Sequence, residues 1–334
     1  MRLPPFRFHR LIAWCAAALS VLSLGSPARS QQPLRQPEAV ASPAPAAAAA
    51  GSSNAAIANR PIRFTFWNVE WFPGRYPKPR PGQRESHVAA VVPVVQRLDP
   101  DVLGLEEVAE EPGARLIVDQ LPGFHLDTVT GFIREETGEL SHQQMVLASR
   151  LPLINGWWER LKPGANGFTP TRGFAFAAYQ AAPNQVVLVY GLHLKSNRKD
   201  KSGSDANNVP QREESARQLL AHQAAMAQAY SRLGNVSVVI GGDMNTSLDD
   251  ARFLRETTLR QWQKAGFQWV FASLPFPQRI TLPGGGRYPD TCFDHLFFRA
   301  ASPLATPRLQ GVSVERTGRD ASDHRPVSVA LTLK

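Results

Sequence analysis

Several short segments of this chain close an apolar run on residues that can hold a proton, a metal ion or a phosphoryl oxygen. The sharpest is Gly241-Gly242-Asp243-Met244-Asn245, which follows the apolar run Val236–Ile240. A strand ending in Gly-Gly lets the backbone turn sharply and presents an acid and an amide two residues apart. The acid can polarise a water and the amide can donate to a phosphoryl oxygen. The same letters also suit a Gly-Asp turn closed by an Asx hydrogen bond. A second segment, Ser322-Asp323-His324-Arg325-Pro326, precedes the last apolar run. Extended neighbours such as Asp323 and His324 point apart, so each needs an outside partner. A carboxylate beside the imidazole favours its cation, which can offset phosphoryl charge. A polar turn entering an edge strand is the plainer alternative. In the third segment, Val102–Leu105 closes on Glu106 and Glu107, and a carboxylate at a strand end is a natural ligand for a hard cation. Asn68 in Phe66–Glu70, His193 in Leu192–Ser196 and Asp294 in Phe293–Phe297 repeat the arrangement. Each of these three, taken singly, also suits a structural role.

These residues must be positioned by strands. Ile62, Phe64 and Phe66 alternate with Arg63, Thr65 and Trp67, as in a half-buried strand. Runs at 102–105, 144–149, 172–179, 186–194, 236–240, 292–298 and 327–333 read the same way. Val88, Val91, Val92, Val95 and Leu98 fall at helical spacing, with Pro93 expected to kink or shorten that helix. A second helix is expected over 210–230, where Pro210 suits a first turn. Strands with occasional helices between them suggest two packed sheets with helices outside.

Taken together and in this order, the segments resemble the endonuclease/exonuclease/phosphatase superfamily across residues 62–333. The resemblance implies a four-layer α/β sandwich, two packed mixed β-sheets flanked by helices, with the active site at one edge. It also implies roles. Asn68, Glu107 and Asp323 match metal-site positions for Mg²⁺, with Mn²⁺ as a substitute. Glu106 stands where many relatives have Gln. Asp243 and Asn245 match the central Asp-x-Asn pair, in which the acid activates or orients water. His193 matches an active-site His, and Asp294 matches the acid that orients the last His, His324. Arg172 sits where some members place a phosphate-contacting Arg.

Length and composition frame this reading. The 334 residues are 43 % hydrophobic, which is ample for a core, and carry a formal charge of +9. A basic balance favours an anionic partner. Arg2, Arg7 and Arg10 followed by the apolar stretch 11–24 resemble a signal peptide, with Ala28 and Ser30 placed for cleavage before Gln31. Such cleavage at residue 30 removes four arginines, lowering +9 to +5, and leaves one cysteine, Cys292. That count excludes an intramolecular disulfide and a Cys-based zinc site. Residues 31–60, rich in Ala, Pro, Ser and Gln, read as a disordered linker. The catalytic domain is expected over 61–334, in a periplasmic or secreted protein.

Lys195, Arg198, Lys199 and Lys201 form a basic run beside His193, with Gly203, Asn207 and Asn208 suggesting a mobile loop. A positive loop at a phosphodiesterase site attracts a polyanionic backbone, so nucleic acid is the expected substrate, with Lys195 a contact. A membrane lipid or a small phosphate ester is the alternative, and Phe271–Phe276 is a candidate docking loop. No obligate protein partner is indicated. A non-enzymatic binding module would require the loss of a catalytic group, and every group tested is present.

Overall fold

The computed structural model describes residues 60–134, 137–165, 167–199, 202–286, 288–300 and 308–332. The expected signal peptide, the linker up to residue 59 and Lys201 lie outside them. From the N-terminal side the elements are β1 (Ile62–Phe72), α1 (Gln83–Leu98), β2 (Val102–Val108), α2 (Glu111–Val118), β3 (His125–Val129) and β4 (Gln144–Ser149). β5 (Leu153–Arg160), β6 (Gly173–Ala182), β7 (Gln185–His193), α3 (Asn208–Tyr230), β8 (Asn235–Asp243) and α4 (Thr258–Lys264) follow. The last are β9 (Gln268–Trp269), β10 (Asp294–Arg299), β11 (Arg308–Val314) and β12 (Val327–Thr332).

The strands form two six-stranded sheets, ordered β11-β12-β1-β2-β4-β3 and β5-β6-β7-β8-β10-β9. Each is mixed, with one parallel pair at its centre, β1/β2 in the first and β7/β8 in the second. Inner-face residues of both sheets share one apolar core, including Phe64, Phe66 and Leu147 from the first and Ala175, Val189 and Val239 from the second. The opposite face of the first sheet sends Trp67, Leu103 and Leu105 against Val91 and Val95 of α1 and Ile117 of α2. Leu219 of α3 and Trp262 of α4 cover the second sheet. The layers are therefore helices, sheet, sheet, helices, as the resemblance implied. Among the described residues no helix is long and apolar enough to cross a membrane.

Pro93 does not break α1, which runs through it. Pro93 and Ala89, whose carbonyl it deprives of a donor, both face solvent, where water can take up the lost bond.

One ring sets the spacing of the sheets at their centre. A Cβ added to Gly104 would lie 2.2 Å from the Phe66 ring, and one added to Gly241 would lie 2.4 Å from it. Phe66 is thus clasped between a glycine beside it in its own sheet and a glycine in the other. Residues two apart on a strand share a face. Asn68, Glu106 and Asp243, each two positions further on, therefore form the next layer up, where the sheets open.

Candidate active site

Strand register assembles the site. In the second sheet His193 pairs with Asp243 and Asp243 with Asp294, so β7, β8 and β10 deliver three side chains to one face. In the first sheet Asn68 pairs with Glu106. Across the gap the Asn68 amide Nδ2 donates to Asp243 Oδ2 at 3.3 Å. His193 Nε2 lies 3.6 Å from Asp243 Oδ2 and 3.8 Å from Glu107 Oε1.

The segment before β12 is fastened down so that it can carry His324. Ser322 Oγ donates to the Asn68 carbonyl at 2.7 Å and accepts the His324 N–H at 3.0 Å. The Trp67 indole N–H donates to the His324 carbonyl at 3.0 Å. His87 accepts the Gly74 N–H at Nδ1, so its Nε2 carries the proton it gives to the Ala321 carbonyl. His324 Nδ1 then meets Asp294 Oδ2 at 2.8 Å, and its Nε2 faces Asp243 Oδ2 at 3.9 Å. Asp294 is held through Thr281 Oγ1, which accepts the N–H groups of Phe293 and Asp294. Ligand atoms of Asp243, Asp294 and His324 all lie within 4.8 Å of one another. With its Nδ1 committed to Asp294, the trio reads as an acid–imidazolium–acid relay rather than a metal cage.

Neighbouring acids 106 and 107 both enter the site because the strand is irregular there. Glu107 has φ 60°, and the β1/β2 and β2/β4 registers shift around it. Without that bulge the two side chains would point to opposite faces. Glu106 is buried, with neither carboxylate oxygen partnered among the described residues. Gly242, with φ +127°, leaves room for it, since a Cβ there would lie 2.7 Å from Glu106 Oε1. Glu107 accepts a bond at 2.8 Å from Gln143 Nε2, and Gln143 Oε1 in turn accepts Arg172 Nη2 at 2.6 Å. Arg172 Nη1 reaches the carbonyls of His193 and Leu194. Asp323 is the most exposed of the expected ligands, at 37 %, with Arg319 Nη2 3.9 Å away.

Asn245 adopts φ 52°, and its N–H donates to Asp243 Oδ1 at 2.9 Å. One of its amide N–H groups donates to the Leu194 carbonyl, and its own carbonyl accepts Asn197 Nδ2 at 2.7 Å. The stretch after His193, read from the sequence as part of a mobile loop, is strapped down over 194–198. Arg212 Nη1 holds the Lys195 carbonyl at 2.9 Å, and Asn208 Nδ2 holds the Arg198 carbonyl. Lys195 is half-buried, and its Nζ donates to the Ser196 carbonyl. Phe271 of the candidate docking loop is buried in the core, whereas Phe276 is exposed.

The electrostatics follow from burial and an excess of acid. Burial raises Glu106 far above the usual carboxylate range, and Asp294 and Asp243 push it further. Burial also raises Glu107, opposed by His324 and Arg172. Asp243 is pushed up to about 7, again mainly by burial. Burial pulls His324 down, but the charges of Asp294 and Asp243 outweigh it and leave the imidazole well above its ordinary value. Burial, with Arg172 and His324 adding to it, keeps His193 neutral. Crowded oxygen donors that cannot all ionise, with no thiolate among them, suit a hard divalent cation. Asn68, Glu107 and Asp323 fit that group.

The sequence pointed to every strand-end residue gathered here. It did not point to Gln143 or Thr281, and it gave Ser322 no role of its own within the segment it opens. Gln143 stands beside a second glutamine at the mouth of β4, and that polar pair before an apolar run is the one signal it left. Thr281 and Ser322 act through hydroxyls on backbone groups, and Thr281 leaves no pattern in the sequence.

Comparison with known proteins agrees with the fold. The Endonuclease/Exonuclease/phosphatase family matches residues 65–324. No curated protein sequence matches the chain. An endonuclease/exonuclease/phosphatase from Beutenbergia cavernae DSM 12333 is 22 % identical, with a TM-score of 0.58 over 82 % of this chain and 72 % of its own. TDP2 of D. rerio, complexed with single strand DNA product, is 16 % identical, with a TM-score of 0.56 over 81 % and 98 %. The human Nocturnin catalytic domain with bound sulfate is 13 % identical, with a TM-score of 0.57 over 82 % and 94 %.

Proposed function

Because the chain belongs to the endonuclease/exonuclease/phosphatase family, we propose that it is an exported, Mg²⁺-dependent phosphodiesterase that cleaves nucleic acid. The observation that carries the chemistry is the meeting of His193, Asp243 and Asp294, at the ends of three strands of one sheet, with Asn68 and Glu107 of the other sheet and His324 of the segment that precedes β12. Asn68, Glu107 and Asp323 would hold the divalent ion, with Mn²⁺ able to replace Mg²⁺. When bound, the ion supplies Lewis-acid stabilisation of a phosphoryl oxygen.

The remaining work falls to the chain. Asp243, near 7, is a base of the right strength to take a proton from an attacking water at neutral pH. Neutral His193 and the free N–H of Asn245 donate to phosphoryl oxygens. His324, kept cationic by Asp294, presents Nε2 to the developing charge and can protonate the leaving oxygen. Arg172 acts through Gln143, fixing Glu107, and braces the backbone that carries His193. Nucleic acid is favoured by the basic residues Lys195, Arg198 and Lys199 beside His193, on a segment held at the Lys195 and Arg198 carbonyls, and by the DNA product held by the similarly folded TDP2.

The test is incubation with plasmid DNA, RNA, sphingomyelin and a chromogenic bis-phosphodiester, in Mg²⁺ or in EDTA. The expected result is cleavage of nucleic acid that stops in EDTA and returns with Mg²⁺ or Mn²⁺. Full activity in excess chelator would overturn the metal assignment. Turnover of sphingomyelin alone would overturn the substrate. N-terminal sequencing of the native protein should begin near Gln31, and a native Met1 in a cytosolic fraction would refute export.

A further inference from the structure

A second concavity lies on the edge of the first sheet. It measures about 260 Å³ and lies between β11 and the turn around residues 274–278. Leu274, Val312 and Val314 give it apolar walls, and Gln278, Arg316 and Arg325 give it donors. Arg325 follows His324 directly. Its Nη1 donates to the Ile280 carbonyl and its N–H to the Thr281 carbonyl, the residue that caps Asp294. The cavity therefore borders the catalytic pair without sharing its residues.

Its charge is not balanced by its surroundings. Arg316 makes no hydrogen bond or ion pair among the described residues. Arg325 is half-buried with no carboxylate in hydrogen-bond contact, only the longer-range pull of Asp290. Burial and then the like charge of Arg316 hold its guanidinium below the ordinary value, so the two cations sense each other across the cavity. Two guanidinium groups that share a partly dry concavity repel each other, and a bound dianion reverses the sign of that energy. Guanidinium forks match phosphate oxygens. The volume falls below the range for drug-sized ligands, so it suits one phosphoryl group with a small body such as a sugar.

The geometry points to a phosphate-binding site at Arg316 and Arg325, taking a phosphoryl group carried on a sugar-sized body. The phosphate can come from a small sugar phosphate or from a nucleic-acid strand, and the second source rests on the nuclease reading above.

The experiment uses the full chain in EDTA, so that nothing turns over. Melting is followed with ribose 5-phosphate and with ribose. Binding of a labelled single-stranded oligonucleotide is followed by anisotropy across a salt series. Wild type is compared with Arg316→Ala and Arg316→Lys. Arg316 is exposed and without a partner among the described residues, so its truncation leaves the fold intact. Ribose 5-phosphate, but not ribose, should raise the wild-type melting temperature by more than it raises that of Arg316→Ala, and Arg316→Lys should keep part of the difference. Phosphate bound at the catalytic site cancels in this comparison. If the strand is the source, the slope of log K against log salt becomes shallower by about 0.7 in Arg316→Ala, the loss of one phosphate contact. A melting difference with an unchanged slope assigns the site to small phosphates, and a slope change alone assigns it to the strand. Identical melting responses and identical slopes overturn the site. Wild type that binds no oligonucleotide in any salt, yet shows the melting difference, removes the nuclease reading and leaves the small-phosphate site standing.

Discussion

The molecule holds two buried ionic groups that look alike in composition and differ in completeness. Arg212 and Glu256 are 0 % and 3 % exposed and form a two-pronged pair at 2.8 and 2.7 Å. The third Arg212 nitrogen holds the Lys195 carbonyl, and Thr258 donates to Glu256. The group around Asp294 and His324 is as deeply buried, yet Asp294 Oδ1, His193 Nδ1 and both Glu106 oxygens have no partner among the described residues. A buried polar group left unpartnered is costly. The first pair therefore reads as architecture, and the second as a site whose unmet capacity is directed at a ligand.

The largest effect expected from this contrast is on stability. Arg212→Met leaves the Glu256 charge buried alone, and urea unfolding should show a loss of roughly 3–5 kcal/mol. A loss below 1 kcal/mol would mean that the pair is not structural.

Next comes Asp294→Asn, which keeps the shape but removes the charge that holds His324 cationic. Turnover should fall about 10²–10³-fold, or roughly 2.7–4 kcal/mol, while the urea midpoint stays near wild type. The sign of the pH effect follows from His324. Its folded value is raised, so the cation persists through neutral pH and activity falls on the alkaline side as the proton leaves. Without the Asp294 charge that value drops, and the alkaline limb should move to lower pH. Glu107→Gln should instead raise the Mg²⁺ concentration needed for half-maximal turnover by at least about tenfold. Rescue of Asp294→Asn by high Mg²⁺, and no rescue of Glu107→Gln, would exchange their roles.

The smallest effect is a gain. Glu106→Gln removes a carboxyl that the fold resists ionising, so the metal-free protein should become more stable at neutral pH, seen as a higher urea midpoint. The raised folded value sets the window. The two proteins should be alike below about pH 4, where the wild-type acid is neutral in both states, and diverge as pH rises above the unfolded value. A Gln variant less stable than wild type at pH 7 would show that Glu106 has a partner.

The central strands were legible in the sequence because they are buried and apolar, with β4 and β12 close to their expected bounds. β5 was not, since its residues are mostly exposed or half-buried at a sheet edge and carry no alternation. β11 was interrupted by a bulge around Gly311, with φ 57°. α2 opens on Glu-Pro-Gly and spans only eight residues. In the site, strand ends announced themselves through polar residues closing apolar runs. What stayed hidden was the outcome of geometry between distant segments. Period-two alternation sends Glu106 and Glu107 to opposite faces, and only the bulge brings both inward.

The clasp on Phe66 bears on how finely the reaction can be tuned. The two half-sites belong to different sheets, and the layer beneath them is one aromatic ring with a bare backbone on either side. That ring behaves as a spacer of fixed gauge. Phe66→Leu would thin it, and the sheets would settle together by a fraction of an ångström directly below Asn68 and Asp243. Misplacements on the ångström scale can change rates a hundredfold. A residue that touches no substrate would then govern the machining tolerance of the whole catalytic gap.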